Sequence, residues 1–201
     1  MNYGMLAGIV ESHIIRLFEH HPNPALAFHN LTHTRTVVSR TREISAHYQL
    51  SERELFIATT AAWFHDIGYL FSGQQGHELL GADMVRGFLM EHHLPGGLID
   101  PIGGCILATR LPQCPAGLLE QIVCDADLYH FGTRELFTRD KLMRREVETV
   151  NGCMISETKW VAGTIRLLES HSYHTTYCHS TLNEQKQINL DILKNHLKTY
   201  S

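Results

Sequence analysis

Apolar residues recur at intervals of three and four along most of the chain, and alternating β-branched runs are scarce, so the pattern predicts helices nearly throughout. The first, over about residues 5–20, places Leu6, Ile9, Val10, Ile14, Leu17 and Phe18 on one broad face before Pro22 and Pro24 break it. A second runs from about His33 to Tyr48, with Asn30 or Thr32 able to cap it. Ser51-Glu52-Arg53-Glu54 reads as a capping box that opens a third helix ending near His65. Leu55, Ala58, Ala61, Ala62 and Phe64 make that helix strongly apolar, which marks it as central, and Trp63 and Phe64 read as core. Gly68 follows as a stop signal.

Further helices are expected at about 77–91, 100–110, 116–129, 134–150, 157–170 and 180–199. Asp100-Pro101 reads as an N-cap followed by proline at the first helical position. Pro95-Gly96-Gly97, Pro112, Pro115 and Gly132 punctuate the intervals. Residues 163–168 have some strand character, but their flanks favour helix. The fold class is therefore all-α, an irregular multi-helix bundle. The 201 residues suit one domain, with two small lobes as the alternative.

Composition narrows the function classes. The hydrophobic share is 43%, enough for a sizeable core. A net charge of −4 gives no global basic field, and no basic stripe with interleaved aromatics exists, which argues against nucleic acid as a partner. No run of about 18 apolar residues is present to span a membrane. The opening MNYGMLAGIV lacks the basic start of a secretory signal, and five cysteines without a CxxC pair suit a reduced, cytoplasmic protein. The oddity is 15 histidines, since imidazole combines metal affinity with a pKa near neutrality. His20-His21 and His92-His93 stand beside prolines and read as exposed helix ends.

Placement gives other histidines more weight. His65 and Asp66 close an apolar helix, where burial of two ionisable groups is costly unless they are paired or bind a metal. Adjacent helical residues point about 100° apart, so both reach one ion only near a helix end, and Gly68 supplies the freedom. Taken alone, the doublet is equally a helix cap followed by a turn.

The order of segments decides between these readings. FHNLTHT (28–34), WFHDIGY (63–69), GHELLGAD (76–83), ILATRLP (106–112) and CDADLYHFG (124–132) follow one another. This set resembles the HD superfamily of metal-dependent phosphohydrolases, strongly over residues 28–132 and weakly over the helices of 134–199. The resemblance implies that His33, His65, Asp66 and Asp127 hold a divalent metal. Two imidazoles with two carboxylates suit Mn, Fe, Co, Ni, Mg or Zn. Asp125 is the rival to Asp127, but residues two apart on a helix face nearly opposite ways, and the Ala-Asp step of the family pattern falls on Asp127.

In relatives with two metals, a His before a Gly-Ala step binds the second ion, and His77 before Gly81-Ala82 takes that place. Those relatives supply another His where this chain has Thr109-Arg110, which weakens a complete second site. His77 is thus a candidate ligand or acid/base group, and Glu78 a candidate acid/base group or helix-dipole partner. Tyr69 stands where many relatives carry Lys, so Arg110, beside Thr109, is the candidate phosphate contact. The stretch 168–179, with His171, Tyr173 and His174, is either a substrate-contacting loop or a polar surface turn. Lys186 is open to the same two uses, and His29 is expected to support the site from behind or to be structural.

The function that follows is hydrolysis of a small phosphate ester, such as a nucleotide. Asp66 would accept the water proton, and His77 or Glu78 would protonate the leaving oxygen. Arg110, Thr109 and His171 would hold the substrate. A di-iron oxygenase and a non-catalytic nucleotide sensor are the competing expectations. Oligomeric state is left open.

Overall fold

The structure, a computed structural model, describes residues 1–200. Among them there are helices and no β-strand, in agreement with the helical periodicity. The residues group into two compact units. The first joins Met1–Asn23 to His29–Asp127, and the second joins Pro24–Phe28 to the chain from Leu128 onward. None of the described helices is long and apolar enough to cross a membrane.

The first unit is built around α3 (Glu52–Phe64), opened by the expected capping box between Ser51 and Glu54. Phe56, Ile57, Ala58, Ala61, Ala62, Trp63 and Phe64 are all buried, so the helix meets protein on every side. Its neighbours are α1 (Tyr3–His20), α2 (Leu31–His47), α5 (His77–Glu91), α6 (Gly96–Ala108) and α7 (Leu118–Asp127). The alanines let those helices approach closely, and burial of the large side chains contributes about 1.5–3 kcal/mol each. A single turn, α4 (Tyr69–Ser72), links α3 to α5.

Helix α6 corrects one reading. It starts at Gly96 after Pro95, not at Pro101, and Pro101 lies inside it. A proline there has no N–H for the carbonyl four residues back, at Gly97. The Arg53 guanidinium donates to that carbonyl at 2.7 Å and so gives it a partner in place of the missing N–H. Asp100, expected as the cap, instead pairs on the surface with Arg86 at 2.8 Å.

The second unit holds a 3₁₀ turn (Tyr129–Gly132), α8 (Leu136–Asn151), α9 (Glu157–Ser170) and α10 (Thr176–Lys198). Buried Asn189 of α10 ties it to the turn, donating to the carbonyls of Phe131 at 3.0 Å and Thr133 at 2.8 Å. Buried Glu146 of α8 accepts the Phe28 N–H at 2.7 Å and so holds the 24–28 segment. Helix α10 begins earlier than the expected 180, because Thr175 caps it through the Cys178 N–H and Cys178 is fully buried. His171, Tyr173 and Thr175 are buried, so 171–175 is a packed connection within this unit and not a surface turn. The His171 ring sits edge-on to Phe131 and Tyr173, and Lys186 donates to the His171 carbonyl.

Candidate metal centre

Each of four side chains reaches the centre of the first unit from a helix end. The Asn30 carboxamide caps α2 by accepting from the N–H groups of Thr32 and His33, at 3.0 and 3.2 Å, which fixes His33 in the first turn. His65 is the residue that ends α3, and Asp66 follows it into the link. Asp127 is the last residue of α7. Helix ends leave side chains free to converge where mid-helix neighbours diverge.

One ligand atom from each of His33, His65, Asp66 and Asp127 lies within 4.8 Å of all the others, an arrangement that could hold a metal ion. His33 Nε2 stands 3.2 Å from Asp66 Oδ2 and 3.3 Å from Asp127 Oδ1. His65 Nε2 is 2.9 and 3.6 Å from the same two oxygens. Asp127 is the carboxylate of α7 that joins the cluster, and Asp125 is fully buried outside it.

The tautomer of His65 follows from its surroundings. Its Nδ1 lies 2.8 Å from the Ala62 carbonyl, which can only accept, so Nδ1 carries the proton and Nε2 presents a lone pair inward. With the ring neutral, His65 Nε2 and Asp66 Oδ2, both buried and 2.9 Å apart, are two acceptors with no donor between them. Leaving such groups unsatisfied costs about 1–3 kcal/mol each, and a cation among the four donors removes that cost. The donor set thus fits a divalent metal of the kind that accepts mixed nitrogen and oxygen ligands.

The electrostatics agree. Burial alone would raise the Asp66 pKa, but His65 and His29 beside it hold the carboxyl well below its usual range. Burial likewise opposes ionisation of Asp127, and His33 and His65 overcome it, so its pKa is also depressed. Burial pulls both imidazoles down, and the two carboxylates more than offset this, raising His33 and raising His65 strongly. The pocket therefore keeps two carboxylates ionised and favours positive charge between them.

His77 and Glu78 open α5 on the far side of Asp66. His77 Nε2 is 3.6 Å from Asp66 Oδ1, the oxygen turned away from the cluster, and 3.6 Å from Glu78 Oε1. Its Nδ1 is pinned by the Gln74 carbonyl at 2.8 Å, so here too Nε2 points inward with its lone pair. Gly68 makes this approach possible. Its φ of −59° suits any residue, but a Cβ there would lie 2.3 Å from the His77 carbonyl oxygen. Gly68 thus supplies space, not the conformational freedom expected of it. Gly81 does the same one turn on, where a Cβ would meet the Phe64 carbonyl oxygen at 2.7 Å.

Thr109 ends α6, buried, with its hydroxyl donating to the Ile106 carbonyl, and Arg110 follows it, exposed. His171 belongs to the second unit, as described above. Sequence reasoning placed His29 behind the site but missed its partner Tyr69. Their rings stack at 3.7 Å and 10°, and Tyr69 contacts His77 at 4.1 Å. The HxxxH spacing of His29 and His33 was the available signal for His29, whereas a tyrosine after a glycine carries none.

A solved crystal structure described as a predicted HD superfamily hydrolase, from an uncultured Thermotogales bacterium, shares the fold. Its TM-score is 0.60 at 18% identity, with 100% of each chain covered. No curated relative matches the chain. The HD domain family model matches residues 30–132, just over half of the 201 residues, and that span contains all four donors of the cluster. This chain belongs to the HD-domain family.

Proposed function

We propose that this chain is a cytoplasmic, metal-dependent phosphohydrolase acting on a small phosphate ester of the nucleotide class. The observation that supports the reading is the convergence of His33, His65, Asp66 and Asp127, with buried, unsatisfied lone pairs on His65 Nε2 and Asp66 Oδ2. When bound there, a divalent metal lowers the pKa of a coordinated water toward neutrality and polarises a phosphoryl oxygen.

The chain's own residues handle the proton. Asp66 Oδ1, turned out of the cluster, accepts it from the attacking water. His77 Nε2, 3.6 Å away, takes it from Asp66 and delivers it to the leaving oxygen as the P–O bond breaks. Glu78, 3.6 Å from His77 on its other flank, stabilises the imidazolium formed in transit. Arg110 and Thr109 are assigned to the phosphate, since a guanidinium pairs with it in two parallel hydrogen bonds. The packing of His171 inside the second unit lends it no support as a substrate contact. His77, 3.6 Å from Asp66 Oδ1, is also the group a second cation would use, and metal stoichiometry separates the two uses.

The test is phosphate release from a panel of nucleotides and sugar phosphates with each divalent metal in turn. Activity that survives Asp66→Ala together with chelation would overturn the reading. Tight nucleotide binding without turnover for any metal would favour a sensor instead.

A further inference from the structure

The proton relay above depends on where His77 points, and its own helix does little to fix that. Gly76, the residue before α5, is in the left-handed region at φ 75° and offers no side-chain cap. Two contacts from the preceding ten residues hold the imidazole. The Gln74 carbonyl fixes Nδ1 at 2.8 Å, and the Tyr69 ring lies 4.1 Å from the His77 ring, inclined by 37°. Tyr69 is itself immobilised. It is buried, and His29 stacks on it at 3.7 Å, with the His29 ring 6.0 Å from His33 and 6.5 Å from His77.

A hydrogen bond to one ring nitrogen fixes the tautomer and favours one χ2, but as a single contact it still lets the ring swing between rotamers. A rigid aromatic face beside it removes the swing, and aromatic contacts of this kind prefer offset or inclined geometry at these separations. We propose that Tyr69 is a positioning residue: its ring, clamped by His29, holds His77 so that Nε2 faces Asp66 Oδ1. The kinetic consequence rests on the phosphohydrolase reading, whereas the positioning itself does not.

The experiment therefore has two arms. In nitrogen-edited NMR of the histidine rings, with His29→Asn and His77→Asn for assignment, wild-type His77 should show a single tautomer protonated at Nδ1. It should also show cross-relaxation to the Tyr69 ring. Tyr69→Leu should broaden or split the His77 signals, and Tyr69→Phe should restore them. In the kinetic arm, Tyr69→Leu should lower kcat by about 10- to 100-fold with KM little changed, since small misplacements of a reacting group cost that much. Tyr69→Phe should recover most of the loss, and His77→Asn should add little to Tyr69→Leu.

Unchanged His77 signals in Tyr69→Leu, or a Phe variant as disturbed as the Leu variant, would overturn the proposal. Should Tyr69→Leu fail to fold, absence of Tyr69–His77 cross-relaxation in the wild-type chain overturns it equally, and its presence with rescue by Phe supports it. A wild-type chain that turns over no phosphate ester defeats the phosphohydrolase reading while the NMR arm still decides the role of Tyr69.

Discussion

Replacing Gly68 with alanine adds one methyl group, and the structure says where it goes. The new Cβ would sit 2.3 Å from the His77 carbonyl oxygen, 2.7 Å from its Cα and 2.8 Å from its carbonyl carbon, all backbone atoms that no rotamer change can move aside. Ordinary contact begins near 3.4 Å, so the start of α5 must retreat by roughly 1 Å in a close-packed interior. Overpacking of this kind costs about 1–3 kcal/mol, and contact with backbone places Gly68→Ala near the upper end. Urea unfolding followed by circular dichroism measures it. Gly87→Ala is the paired control, because Gly87 is exposed inside α5 with nothing within 4 Å of a Cβ. That change should stabilise by about 0.5–1 kcal/mol through helix propensity. A Gly68→Ala variant within about 0.5 kcal/mol of wild type, where unremarkable surface changes fall, would refute the argument that Gly68 is retained for space.

Three further outcomes test other parts of the structure. Asn189→Leu removes the donor to two carbonyls of the 3₁₀ turn and should cost about 2–3 kcal/mol, read by denaturant titration; a loss under about 0.5 kcal/mol would count against that tie. Arg53→Ala uncovers the Gly97 carbonyl freed by Pro101 and should lower stability by about 0.5–1.5 kcal/mol, with Arg53→Ala in a Pro101→Ala background costing less. Thiol titration with a bulky disulfide reagent at pH 8 should label exposed Cys114 and Cys153 quickly. Cys105, Cys124 and Cys178 should wait for unfolding, since all three are buried and burial pushes the Cys105 thiol up to about 12 and Cys124 higher still.

What was legible in the sequence was whatever local rules write down. The capping box at Ser51, the proline breaks and the helical spacing of apolar residues placed most helices within a few residues. Pro101 misleads because Asp-Pro is a common helix start, whereas here it lies inside α6, and the Gly97 carbonyl it frees meets Arg53, 44 positions earlier, a partner no local rule sees. It also began α10 late. Thr176, Tyr177, Cys178, His179 and Ser180 are indifferent helix formers, and burial of Cys178 overrides their propensity. For the site, His33, His65, Asp66 and Asp127 were picked out by the resemblance of five ordered segments to the HD superfamily, since the His-Asp doublet alone reads equally as a helix cap. Tyr69 was not, since its effect arises from stacking on His29 across the chain. Gly68 was seen for the wrong reason: the His77 backbone pressed against it is a tertiary fact.

Whether the four-donor cluster binds a divalent cation is decided most plainly by direct metal analysis. Wild-type chain and the Asp66→Ala and Asp127→Ala variants would be loaded with a mixture of Mn, Fe, Co, Ni and Zn, desalted, and measured by elemental mass spectrometry. At least one retained ion per wild-type chain is expected, with a large loss in either variant and circular dichroism unchanged. Retention of no metal by the wild type, or equal retention by all three proteins, would contradict it.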